Sequence, residues 1–77
     1  MSPAYYRAIA DKRKILRDIY GGMMTLRQLS KELSYGSDNS TRKWVREHAL
    51  EGVKMGKSVR YETDQVARAI VEGRGMV

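Results

Sequence analysis

Asp38-Asn39-Ser40-Thr41-Arg42-Lys43-Trp44-Val45-Arg46-Glu47-His48, then Leu50-Glu51-Gly52, then Val53-Lys54-Met55-Gly56-Lys57-Ser58-Val59-Arg60: this stretch decides how the chain is read. Thr41, Trp44, Val45 and His48 fall at i, i+3, i+4 and i+7, one face of a helix, which leaves Arg42, Lys43, Arg46 and Glu47 on the other. After the turn at Leu50-Glu51-Gly52, Val53 and Met55 alternate with Lys54, and Val59 and Tyr61 with Arg60, across Gly56-Lys57. That period of two predicts a half-buried two-stranded hairpin with Gly56 in its tight turn. Between residues 40 and 60, six Lys or Arg stand against two Glu, a local charge of +4 within a chain total of +6. A surplus concentrated on one helix and one hairpin suits a polyanion.

Upstream, Ser34-Tyr35-Gly36-Ser37-Asp38-Asn39 is a run of turn formers in which Gly36 is expected to take a positive φ and Asp38, Asn39 or Ser40 to cap the basic helix. Thr25 with Gln28 three residues later makes a capping box, opening a helix to about Ser34 with Leu26, Leu29 and Leu33 on one face. At the start of the chain, Ser2 caps and Pro3 occupies a first helical position that has no use for an N–H. Tyr5, Ile9, Leu16, Ile19 and Tyr20 then fall within about 100° of one another at the helical period, so residues 4–20 read as an amphipathic helix ended by Gly21-Gly22. Lys12 sits inside that stripe, so either the stripe is only partly buried or Lys12 snorkels. Downstream, Thr63 is expected to cap a last helix with Asp64 in its first turn and Val66, Ala67 and Ile70 on its apolar side, stopped by Gly73.

Length and composition limit what this set of elements can do. Seventy-seven residues with a single Pro leave room for one small core, read as an N-terminal helix over residues 1–22 and a domain over 23–77. With no cysteine there is no disulfide and no thiolate metal site, and His48 alone offers no imidazole cluster. Nine carboxylates without a convincing pair, and no glycine-rich phosphate loop, argue against an enzyme and against any cofactor. No apolar run is long enough for a signal peptide or a membrane span, so the expectation is a cytoplasmic protein with no membrane partner. The sequence pI near 9.9 agrees with the local charge count in pointing toward nucleic acid.

A short helix, a turn, a basic helix, a basic hairpin and a closing helix make a mainly α winged helix-turn-helix with a small β-hairpin wing. Leu26, Leu29 and Leu33, then Ser40-Thr41, Trp44-Val45, Leu50, Val53-Lys54-Met55-Gly56-Lys57, Val59-Arg60-Tyr61 and Asp64, Val66 and Ile70 carry a resemblance across roughly residues 24–72. They resemble the excisionase group of the MerR-type winged-helix superfamily, small DNA-binding proteins of phages and integrative elements. The resemblance implies a protein that binds adjacent sites on double-stranded DNA, bends the duplex and steers a tyrosine or serine integrase toward excision. The same binding implies a small transcriptional repressor as an alternative. Two further readings are a phage DNA-packaging recognition subunit and a module that binds an acidic protein. The helix at residues 4–20 is extra to the family pattern.

An α-helix fits the major groove and offers its N-terminal residues to base edges. Arg42 is accordingly the candidate base reader, with Lys43 and Arg46 on phosphates. Asn39 and Ser40 either cap the helix or touch the DNA backbone, while Lys54, Lys57, Ser58 and Arg60 on the wing meet phosphates or the minor groove. Trp44 is read as core and His48 as a helix-end residue. The N-terminal helix either folds back on the domain, pairs with another copy on DNA or docks on an integrase, and a protein contact is the favoured reading because its stripe is not needed to close the four-element core.

Overall fold

In a computed structural model that describes residues 2–73, α1 runs Pro3–Tyr20. The Ser2 side chain accepts the Tyr5 N–H and Pro3 follows it, as the sequence predicts. Gly21, at φ 79°, ends the helix by donating its N–H to the Arg17 carbonyl. Next come β1 (Met23–Thr25) and α2 (Leu26–Glu32), the latter opened by the predicted capping box. Thr25 Oγ1 accepts the Gln28 N–H at 3.1 Å, and Gln28 Oε1 accepts the Thr25 N–H at 2.9 Å. After α3 (Asp38–Glu47) follow β2 (Val53–Met55), β3 (Ser58–Glu62) and α4 (Thr63–Gly73).

The described residues thus form four helices and a small antiparallel sheet in the order β1-β3-β2. Leu16 of α1, Met24 of β1, Leu29 of α2, Val45 of α3, Leu50, and Val66, Ala67 and Ala69 of α4 make one core. Tyr20, Leu33, Trp44, Tyr61 and Ile70 pack against it. α1 lies along α4, and the Tyr5 hydroxyl donates to Glu72 Oε2 at 2.7 Å. α1 and the elements after residue 22 share a single core, and residues 74–77 of the expected second segment lie outside the described residues. Lys12 does not snorkel to water: its Nζ lies 3.3 Å from Glu32 Oε2 at the end of α2, with 17% of its side chain exposed.

Several local expectations change. β1 was not anticipated, and it turns the expected two-stranded hairpin into a three-stranded sheet, pairing Met24 with Tyr61. The hairpin register sets Met55 opposite Ser58 and Val53 opposite Arg60. Cross-strand partners share a face, so Val53 and Met55 lie on the side away from Val59 and Tyr61. That outer side stays open, with Val53 at 42% and Met55 at 50% exposure. Ile19 is 62% exposed, because it stands about 60° around α1 from Leu16, outside the arc the core covers.

The helix ends also differ from expectation. α3 is capped by Ser37, whose side chain accepts the Ser40 N–H, and Asp38 is its first residue. α2 stops at Glu32, and the left-handed residue after it is Ser34 at φ 59°, not Gly36. Ala49 plays the same part after α3 at φ 53°, while the Leu50 N–H reaches back to the Val45 carbonyl at 3.0 Å. Thr63 does not cap α4: its hydroxyl donates to the Gly21 carbonyl at 2.7 Å and its N–H to the Gly22 carbonyl at 3.0 Å.

Candidate nucleic-acid interface

α2 and α3 approach each other through hydroxyls. Buried Ser30 Oγ lies 2.5 Å from buried Thr41 Oγ1, 3.0 Å from the Leu26 carbonyl and 2.8 Å from Asp38 Oδ1. Small side chains let the two helices come close, and the shared hydroxyls leave neither oxygen unpaired. Thr41 and Val45 then face inward, with Trp44 half-buried against the core and its ring centroid 4.5 Å from that of His48. This fixes the rotation of α3 and turns Arg42, Lys43 and Arg46 outward as the sequence predicts, with Asn39 and Ser40, which do not cap the helix, exposed beside them.

Along that outward face the residues are not equivalent. At the helical period Asn39, Lys43 and Arg46 point most directly away from the core, and Arg42 sits on one shoulder. Asn39 Oδ1 accepts a hydrogen bond from Arg42 Nη1 at 3.0 Å, which holds the guanidinium. The shoulder opens onto a groove of about 490 Å³ whose far wall is the hairpin, with Lys57, Ser58, Val59 and Tyr61. Thr25, Leu26 and Arg27 from the start of α2 line its end, beside Asp38. Ser58 Oγ donates to the Met55 carbonyl at 3.1 Å, tightening the turn that carries Lys57, where Gly56 takes φ 67° as expected.

Of the sequence-predicted site residues, Arg42, Lys57 and Ser58 are brought together here. Asn39, Ser40, Lys43 and Arg46 belong to the adjoining face of α3, while Lys54 is exposed on β2. Arg60 is placed differently: it is half-buried in the central strand between Thr25 and Val53, on the opposite sheet face from Val59, and does not line the groove. Arg27 was missed. Its side chain is 87% exposed, its Nη2 lies 3.8 Å from Asp38 Oδ2, and it also lines a second groove of about 530 Å³ with Ser30, Lys31, Tyr35 and Ser37. The signal for it was present in the outward positions of Arg27 and Lys31, one turn apart on a helix read only for its leucines.

No known protein family, curated protein or solved structure matches the chain. Arg27, Arg42 and Lys57 converge from three separate elements on one open groove, against the single carboxylate of Asp38. Guanidinium and ammonium groups in that arrangement hold anionic oxygens by charge-assisted hydrogen bonds. Among the described residues that line the groove there is no histidine and no carboxylate besides Asp38. Among the described residues no cluster of His, Cys, Asp and Glu is arranged to hold a metal, and no helix is long and apolar enough to cross a membrane.

Proposed function

We propose that this protein binds double-stranded DNA as a winged helix-turn-helix, with α2 and α3 as the helix pair and the β2–β3 hairpin as the wing. The observation that carries the reading is the common groove of Arg42 and Lys57: one duplex can meet the α3 shoulder and the wing turn at the same time. α3 enters the major groove with Arg42 toward a base edge, held in orientation by Asn39. Lys43 and Arg46 lie on flanking phosphates, Arg27 and Lys57 hold the backbone at either end of the groove, and Lys54 extends the contact along the wing. In line with its resemblance to excisionases, the protein acts as an architectural factor that occupies neighbouring sites and assists an integrase.

Fluorescence anisotropy on a labelled duplex across a salt series tests this. Wild-type affinity falls linearly in log–log form, with a slope of about −0.9 per phosphate neutralised, and Lys57→Ala makes the slope shallower by about 0.9 on every sequence. Arg42→Ala costs about 1–3 kcal/mol on the preferred site and less on random duplex. Absence of binding at low salt refutes the reading and leaves an acidic protein as the partner. A footprint across the neighbouring genome then separates repeated sites beside an integrase attachment site from a single promoter operator.

A further inference from the structure

The outward side of α1 carries a pattern that is complementary to itself. At 100° per residue, Ala4, Ala8, Ile15 and Ile19 fall in a strip about 60° wide, next to the arc buried in the core. Ile15 is 52% and Ile19 62% exposed, two branched apolar side chains one turn apart with nothing covering them. Along the strip's outer flank run Arg7, Asp11, Lys14 and Asp18, all exposed, in the order plus, minus, plus, minus. Among the described residues none of these four forms an ion pair, although Lys12, Arg17 and Arg27 do.

We infer that α1 is a self-association surface on which a second copy of this chain docks, helix against helix and antiparallel, about a two-fold axis between Lys12 and Arg13. In an antiparallel pair the same flank of each helix faces its counterpart in reverse order. Arg7 of one copy then meets Asp18 of the other, and Asp11 meets Lys14, so every charge on the flank finds its opposite twice over by symmetry. The strip is complementary in size as well. With that axis Ile15 falls two residues, about 3 Å along the helix, from the level of Ala8, and Ile19 the same distance from that of Ala4, so bulk packs beside the small side chains that allow close approach of the helices.

Two other uses of the pattern fit less well. Parallel pairing sets the charged flank against the opposite flank, where Lys12 is already engaged by Glu32 at 3.3 Å. Within one helix Arg7–Asp11 and Lys14–Asp18 at i,i+4 put the basic residue first, the less favourable order against the helix dipole, and Asp11–Lys14 at i,i+3 alone puts the acid first. The surface is separate from the groove of Arg42 and Lys57, so it stands or falls independently of DNA binding.

Sedimentation equilibrium on the full chain, with circular dichroism to confirm retained helix, provides the test. Two charge-segregated variants are needed: Arg7→Glu with Lys14→Glu, whose flank is all acidic, and Asp11→Lys with Asp18→Lys, whose flank is all basic. Both variants keep a net positive charge, so general attraction does not draw them together. Wild type is expected to move, with rising concentration, toward twice the 8.8 kDa of one chain, and to return to one chain in high salt. Each variant alone stays at one chain, and an equimolar mixture regains the doubled mass. A wild type that remains single at the highest concentration overturns the inference. So do variants that still self-associate alone, or a mixture that stays single while wild type pairs.

Discussion

Replacing Glu32 by Ala tests whether α1 is built into the core or merely attached to it. Glu32 ends α2 and reaches across to α1 with both oxygens: Oε2 lies 3.3 Å from Lys12 Nζ and Oε1 accepts the Tyr20 hydroxyl at 3.0 Å. The Lys12 and Glu32 side chains are only 17% and 20% exposed, so water does not readily take over when the carboxylate goes. A hydrogen bond to a charged group contributes about 1.5–3 kcal/mol, and Ala leaves both the ammonium and the phenol short of a partner, so a loss of about 2–3 kcal/mol is expected. With a urea dependence of roughly 1 kcal/mol per molar for so small a protein, the unfolding midpoint falls by about 2–3 M. Trp44, the sole tryptophan and half-buried against the core, reports the transition by fluorescence. Lys12→Met alone leaves Glu32 with Tyr20 and costs less, and a double-mutant cycle between Lys12 and Glu32 returns a coupling of about 1 kcal/mol. A Glu32→Ala loss below about 0.5 kcal/mol, with no coupling, refutes the view that this contact anchors α1.

Other outcomes follow from single positions. A Cβ on Gly52 meets Val59 Cγ1 in a severe overlap and comes within 3.3 Å of Tyr61 Cε1, so Gly52→Ala is expected to cost about 1–3 kcal/mol in urea unfolding. Gly36→Ala, with nothing within 4 Å of the new Cβ, stays within about 0.5 kcal/mol and serves as its control. Ala49 holds φ 53°, a conformation that costs an L-residue about 1 kcal/mol, so Ala49→Gly raises stability by roughly that amount in the same assay. The hydrogen bond to Glu72, then burial, raises the pKa of Tyr5, while burial, then the bond to Glu32, raises that of Tyr20. The folded state therefore keeps protons that the unfolded state sheds: this stability is complete below a pH of about 10 and declines as pH rises through the folded values. Thermal melts in alkaline buffers should show the decline, and the Tyr5→Phe, Tyr20→Phe double variant should lose that part of it. Arg27→Ala should weaken DNA binding on all sequences and make the salt slope shallower by about 0.9; an unchanged slope removes Arg27 from the interface.

What the sequence disclosed was what short spacing determines. Ser2-Pro3, the Thr25–Gln28 box and the Thr41, Trp44, Val45 face of α3 are each settled within one or two helical turns, and the structure contains all three. The sheet was less legible because strand identity depends on a distant partner. Met23-Met24-Thr25 has no period to detect, and it is a strand because β3 lies beside it. The hairpin's alternation was visible, but its phase was not. A two-residue turn places Met55 against Ser58, and that alone sends Val59 and Tyr61 to the other side of the sheet from Val53 and Met55. In the groove, Arg42 and Lys57 were found from local charge, whereas Arg27 joins them only through packing of α2 beside α3 and the hairpin. Arg60 looked equivalent to Lys57 in a charge count, yet its place in the central strand draws it away.

The first strand pairs with the last, and the Thr63 side chain reaches a carbonyl 42 residues earlier. While the chain is being synthesised, Met24 has no strand to lie against until β3 has left the ribosome, and the buried arc of α1 stays bare until α4 follows. No early portion is self-sufficient, so folding waits until α4 has emerged and then involves these elements together. A cut in the loop before α3 should accordingly give two pieces that are each unstructured alone and that fold when combined.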